Sequence, residues 1–159
     1  MKRILFVDDD SNILDGIRRM LHPQRNRWEM HFASSGEIAL QACAQRNFDV
    51  VISDRRMPGM DGGTLLERIH DLYPYTARLI LTGHSSVPMA RVAHVAHRIL
   101  AKPCSSIELQ DAIERVCTLQ DLFCTPELRK IIGTIGELPS LSATYTALTR
   151  AVQDPATSG

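Results

Sequence analysis

Residues 50–63 read VVISDRRMPGMDGG, and the order of residue types within them decides the fold class. Three β-branched apolar residues, Val50 to Ile52, form an unbroken run with no polar alternation. That pattern belongs to a strand covered on both faces. The run ends in one acid, Asp54, and passes into Pro58, Gly59, Asp61 and the Gly62-Gly63 pair, which are turn and helix-start residues. A buried strand delivering a carboxylate to its own end is what an open parallel sheet does at its ligand-binding edge.

Working outward, strand and helix signals alternate. Residues 4–7 (ILFV) form a second continuous apolar run. Ile13, Leu14, Ile17, Met20 and Leu21 then recur at helical spacing, with Pro23 expected to close the helix. Residues 28–32 alternate as a strand. Ile38, Ala39, Ala42 and Cys43 make the next helical stripe, capped by Ser34 or Ser35. Leu65, Leu66 and Ile69 follow the opening stretch, with Pro74 just beyond. Residues 79–81 and 98–101 read as strands four and five, with a weaker helix expected over 87–96. A clear helix runs through Leu109, Ala112, Ile113, Val116, Leu119 and Phe123, begun by Ser105 or Ser106 with Glu108 in its first turn. Five strand–helix units within about 123 residues point to a doubly wound parallel sheet, and the length excludes an eight-unit barrel.

Composition narrows the function. The 159 residues contain 18 basic and 18 acidic side chains, so no charge excess marks the chain for nucleic acid or an anionic membrane surface. No apolar run approaches the ~20 residues that span a bilayer, and MKRILFVDDD meets three acids before a signal-peptide core could form. A cytoplasmic location is expected. Cys43, Cys104, Cys117 and Cys124 lack CxxC spacing and nearby paired His, and read as reduced structural residues.

The strand ends concentrate the chemistry. Strand one delivers Asp8, Asp9 and Asp10, strand three Asp54, strand four Thr82 and strand five Lys102. Carboxylates, a backbone carbonyl and waters suit Mg²⁺. A carboxylate such as Asp54 is a competent nucleophile toward phosphorus. Lys102 and Thr82 supply a cation and a hydroxyl donor for phosphoryl oxygens. Singly, each has a plain structural alternative: acids at a helix start, an Asp capping a turn, a solvated lysine. Their conjunction on one edge favours the chemical reading.

In that combination the chain resembles the receiver domain of two-component response regulators over residues 1–123. The matching residues are Asp8 and Asp9 in FVDDD, Asp54 in SDRRMPGMDG, Thr82 in LTG, and Lys102 in AKP. The resemblance implies a flavodoxin-like (βα)5 sheet ordered 2-1-3-4-5. It further implies phosphoryl transfer to Asp54 from a sensor histidine kinase or phosphotransfer protein, with Mg²⁺ or Mn²⁺ as cofactor. Asp9, Asp54 and the Arg56 carbonyl are then expected as direct metal ligands, with Asp8 acting mainly through water. A cis Lys102–Pro103 bond is also implied. Such a protein is not a dedicated enzyme but catalyses its own phosphorylation and slow dephosphorylation.

Two features depart from the family, the switch residue and the polar frame of the pocket. The switch residue three before the lysine, usually Tyr or Phe, is Ile99, so signalling is expected mainly through the helix over 87–96 and strand five. Arg56 and His84 occupy positions flanking the approach of hydrolytic water, and are expected to tune phosphoryl lifetime.

The segment 137–155, ELPSLSATYTALTRAVQDP, resembles the opening of a helical HDOD signalling domain, although Ser142 replaces the usual second proline. Residues 124–159 are therefore expected to be a linker and the first part of an HDOD-like output domain. The tail has a helical signal over 125–132 and a stripe of Leu141, Tyr145, Leu148 and Val152. Each large side chain of that stripe left wet forgoes roughly 1.5–3 kcal/mol. It needs the receiver body, further residues, or a second copy to cover it, which leaves homodimerisation open. Two rival readings accompany the main one. One is a constitutive, unphosphorylated interaction module, which Ile99 favours. The other is a haloacid-dehalogenase-like phosphohydrolase using the D-x-D of residues 8–10, which leaves Asp54 without a role.

Overall fold

A computed structural model describes residues 1–83 and 94–122 of the chain. In chain order these form β1 (Lys2–Val7), α1 (Ser11–Leu21), a 3₁₀ turn (His22–Gln24), β2 (Trp28–Ala33), α2 (Gly36–Gln45), β3 (Val50–Asp54), α3 (Gly62–Leu72), β4 (Ala77–Thr82), β5 (Arg98–Ala101) and α4 (Ser106–Leu122). The strands make one parallel sheet ordered β2-β1-β3-β4-β5, as the alternation of strand and helix signals required.

The sheet is apolar on both faces because alternate residues of each strand feed separate cores. Ile4, Phe6, Val50, Ile52, Leu79 and Leu81 point to a layer closed by Leu14, Ile17 and Leu21 of α1 and Leu109, Ile113 and Val116 of α4. Leu5, Val7, Val51 and Ile80 point the other way, against Ala39 and Cys43 of α2 and Leu65, Leu66 and Ile69 of α3. This is why β1 and β3 read as continuous apolar runs.

The helix starts are fixed by side chains. Asp10 caps α1 through Asn12 N–H, Ser35 caps α2 through Ile38 N–H, and Asp61 caps α3 through Thr64 N–H. Ser105 and Glu108 close a reciprocal capping box at the start of α4.

Several expectations need correction. Ile38 is 45% exposed, because the buried stripe of α2 runs through Gly36, Ala39 and Cys43, and Ile38 turns out of it. α1 does end before Pro23, at Leu21, and Pro23 then lies inside the following 3₁₀ turn, at a first-turn position that needs no N–H. Strand four starts two residues earlier than residues 79–81 indicated and includes Arg78, only 1% exposed. Its Nε donates to Val95 O at 2.7 Å and its Nη1 to Thr76 O at 2.9 Å. His97 N–H donates to Arg78 O at 2.7 Å, and the Arg78 N–H to His97 Nδ1 at 2.9 Å. These bonds turn the backbone of residues 94–97 toward β4, so the last positions of the helix expected over 87–96 are not helical. The rest of that helix, His84, the boundary after residue 123 and both tail helices lie outside the described residues.

Candidate functional site

Register brings the strand ends level. Val7 pairs with Ser53, Asp54 with Leu81, and Thr82 with Ala101. Asp8 therefore leaves β1 beside Asp54 at the end of β3, with Thr82 and Lys102 next to them across β4 and β5. Backbone bonds hold the exits: Asp8 N–H to Ala33 O, Arg55 N–H to Leu81 O, and Lys102 N–H to Thr82 O, the last at 2.7 Å.

The side chains converge on one cation. Lys102 Nζ lies 2.7 Å from Asp8 Oδ2 and 2.5 Å from Asp54 Oδ1. Both acids are nearly buried, at 3% and 7% exposure. Each remaining carboxylate oxygen accepts a backbone N–H: Asp8 Oδ1 from Asp10 at 2.9 Å, and Asp54 Oδ2 from Arg56 at 2.6 Å. Burial works against the charge on Lys102, but the hydrogen bonds to Asp54 and Asp8 outweigh it and raise its pKa. Two covered carboxylates thus share one ammonium, leaving a net negative site that a further cation can complete.

The loop after Asp54 is shaped by two glycines. Gly59 has φ +75°, a conformation side chains resist. At Gly62 a Cβ would fall 2.0 Å from Asp54 O. Its N–H donates to Arg55 O at 3.0 Å, while Ser53 Oγ donates to Asp54 O at 2.8 Å. The DGG of the opening stretch therefore brings α3 directly against the backbone of the acid.

Other expected positions fall as follows. Asp9 is exposed at the rim and Asp10 is spent on capping α1. Thr82 is 8% exposed. Ile99 is half-buried in β5, paired with Ile80 and packed on the α2–α3 side. The Arg56 side chain is exposed, and the Lys102–Pro103 peptide is cis. Sequence reasoning did not foresee that Lys102 also grips Asp8, and it passed over Arg55, whose Nη1 is covered without a hydrogen-bond acceptor among the described residues. The doubled arginine in SDRR was the available signal. Among the described residues no three His, Cys, Asp or Glu side chains gather into a metal cluster. The donors at this edge are nonetheless all oxygens, which fits a hard cation such as Mg²⁺ that keeps several of its waters.

Comparison with known proteins agrees with this geometry. Residues 4–114 match the family described as response regulator receiver domain. A solved receiver domain of an HD domain-containing protein from Pseudomonas fluorescens Pf-5 is 37% identical, with a TM-score of 0.72, covering 77% of this chain and 98% of that one. The chemotaxis protein CheY4 of Vibrio cholerae is 31% identical with a TM-score of 0.65, covering 73% of this chain and 98% of that one. The DNA-binding transcriptional regulator NtrC of Escherichia coli is 32% identical over 150 residues, covering 91% of this chain and 32% of NtrC. The chain spans about a third of the length of the first curated relatives it matches.

Proposed function

The chain belongs to the response regulator receiver domain family, and we propose that Asp54 is its phosphoacceptor, with Asp8, Asp9, Thr82 and Lys102 as the supporting set. Family membership implies a phosphoacceptor domain of two-component signalling, served by a histidine kinase, with weak self-phosphorylation and dephosphorylation rather than dedicated enzymatic turnover. The assignment to Asp54 rests on one observation above the others: its carboxylate shares the Lys102 ammonium with Asp8 at the carboxyl edge of the sheet.

Transfer requires a carboxylate oxygen of Asp54 to form a bond to phosphorus as the P–N bond of the donor phosphohistidine breaks, its electron pair staying with the imidazole. Burial of residues 50–52 and the Arg56 N–H hold that carboxylate in place before donor arrives. Lys102 is within reach to follow one phosphoryl oxygen, and the Thr82 hydroxyl to donate to another. Family membership also implies Mg²⁺-dependent phosphorylation. Asp9, Asp54 and the Arg56 carbonyl would hold the ion directly, and Asp8 mainly through water; bound there, it supplies charge neutralisation for the phosphoryl oxygens.

Two finer readings go with this one. Residues 124–159 are a linker and the start of an HDOD-like output domain, supported by the ELPSLSATYTALTRAVQDP resemblance and by the Pseudomonas relative's description as part of an HD domain-containing protein. Ile99, aliphatic and half-buried on β5, relays the phosphorylated state to the adjoining face without a ring or hydroxyl. Incubation with acetyl phosphate and Mg²⁺, followed by intact-mass measurement, tests the function. A single phosphoryl gain abolished by Asp54→Asn is expected. An unchanged mass would favour a constitutive interaction module.

A further inference from the structure

We propose that Arg55, seconded by Arg56, forms an anion subsite beside Asp54 that takes up the phosphoryl dianion of a small acyl phosphate before transfer. The inference rests on the phosphoacceptor reading of Asp54. Its own observations are separate.

A cleft of about 440 Å³ opens on the loop that follows the acceptor, lined by Arg55, Arg56, Met57, Pro58 and Asp61. The chain neutralises several of its other arginines: Arg3 and Arg46 pair with Glu29, Arg18 with Asp15, and Arg27 with Glu114. Among the described residues, neither Arg55 nor Arg56 has such a carboxylate. Arg55 is half-buried, and its Nη1 is fully covered without an acceptor among those residues. A covered guanidinium donor with nothing to bond is costly to maintain, and a turn of the half-buried side chain that brings Nη1 to an oxyanion in the cleft removes that cost.

The cleft's own acid, Asp61, caps α3 through Thr64 N–H and offsets only one of the two arginine charges. The main chain around Arg55 is tied at both ends, its N–H to Leu81 O and its carbonyl to Gly62 N–H. Two consecutive forked cations on a fixed loop suit a tetrahedral dianion better than a carboxylate, since a phosphoryl group offers three oxygens to several N–H donors. The Arg56 N–H bonds Asp54 Oδ2, so the loop that lines this cleft is tied directly to the nucleophile.

The test separates binding from transfer. In the Asp54→Asn protein without Mg²⁺, inorganic phosphate is titrated at constant ionic strength while the amide and guanidinium N–H resonances of residues 55–57 are followed. Saturable shifts are expected, with the midpoint raised at least five-fold by adding Arg55→Gln, which keeps a donor but removes the charge. Arg55→Lys, charged but unforked, should fall between. With Asp54 intact and Mg²⁺ present, Arg55→Gln should raise the half-saturating acetyl phosphate concentration at least five-fold and leave the limiting rate within two-fold. Absence of saturable shifts, or equal midpoints with and without the Arg55→Gln substitution, overturns the subsite. Failure of the unaltered protein to be phosphorylated overturns the acceptor reading, and the phosphate titration still decides the subsite.

Discussion

Lys102 Nζ stands 2.5 Å from Asp54 Oδ1 while also holding Asp8 at 2.7 Å, so one ammonium ties the ends of β1, β3 and β5 together. Lys102→Met leaves two nearly buried acids without their common cation. Breaking a fully buried pair costs about 3–5 kcal/mol. The lysine side chain is 23% exposed, so a smaller loss of about 1–2 kcal/mol is expected by urea unfolding at neutral pH. Because the folded-state pKa of Lys102 is raised above its ordinary 10.5, its contribution is fully present below 10.5 and lost as pH rises through the folded value. The stability gap between the unaltered protein and Lys102→Met should therefore close at strongly alkaline pH. A gap constant to the alkaline limit would contradict this.

Gly62→Ala should be severe. The new Cβ meets the Asp54 carbonyl at 2.0 Å, a clash with backbone rather than with a movable side chain, and relief requires moving α3 or the acid itself. A loss of about 2 kcal/mol or more is expected from thermal unfolding. Gly16, within α1, has nothing within 4 Å of a Cβ, so Gly16→Ala should stabilise by about 0.4–1 kcal/mol. A Gly62→Ala protein as stable as the unaltered one would refute the account of the loop.

The fold was legible wherever strands were buried on both faces, because residues 4–7 and 50–52 carry no polar interruption. It was less legible where a polar side chain is satisfied inside. Arg78 broke the apolar pattern of β4, yet its stem lies in the core and its guanidinium is taken up by the Val95 and Thr76 carbonyls. The Val95 partner lies 17 positions away, which a local pattern does not contain. The same holds at the site. Asp8, Asp54 and Lys102 could be assigned to one edge from the strand ends, but the Lys102–Asp8 contact spans 94 residues and depends on strand order. Ile38 was misread because its neighbour Ala39, not Ile38 itself, lies on the line through Gly36 and Cys43.

The described cysteines should differ in reactivity. Burial pushes the Cys43 thiol up to about 11 and the Cys117 thiol up to about 12. Cys104 is half-buried and is also raised, by burial and then by Glu108. Since the thiolate is the nucleophile and must be reached by the reagent, iodoacetamide at pH 8 should modify Cys104 well before the other two in the native protein, as peptide mapping would reveal. Faster labelling of Cys43 or Cys117 would mean that α2 or α4 opens locally.

The exposed Arg56 side chain stands two residues from the proposed acceptor, with its N–H on that carboxylate. We expect it to shield the phosphoryl group from water, so Arg56→Ala should shorten the phosphorylated lifetime several-fold. The decay of the phosphorylated mass after donor removal measures this directly. Slower decay in the variant would reverse the assignment.

The central claim concerns one carboxylate. Phosphorylated protein, reduced with borohydride and digested, converts the acyl phosphate to homoserine at the residue that held it. Homoserine at position 54 alone, absent from the Asp54→Asn protein, is the predicted result. Homoserine at position 8 or 9, or at no position after treatment with acetyl phosphate and Mg²⁺, would contradict it.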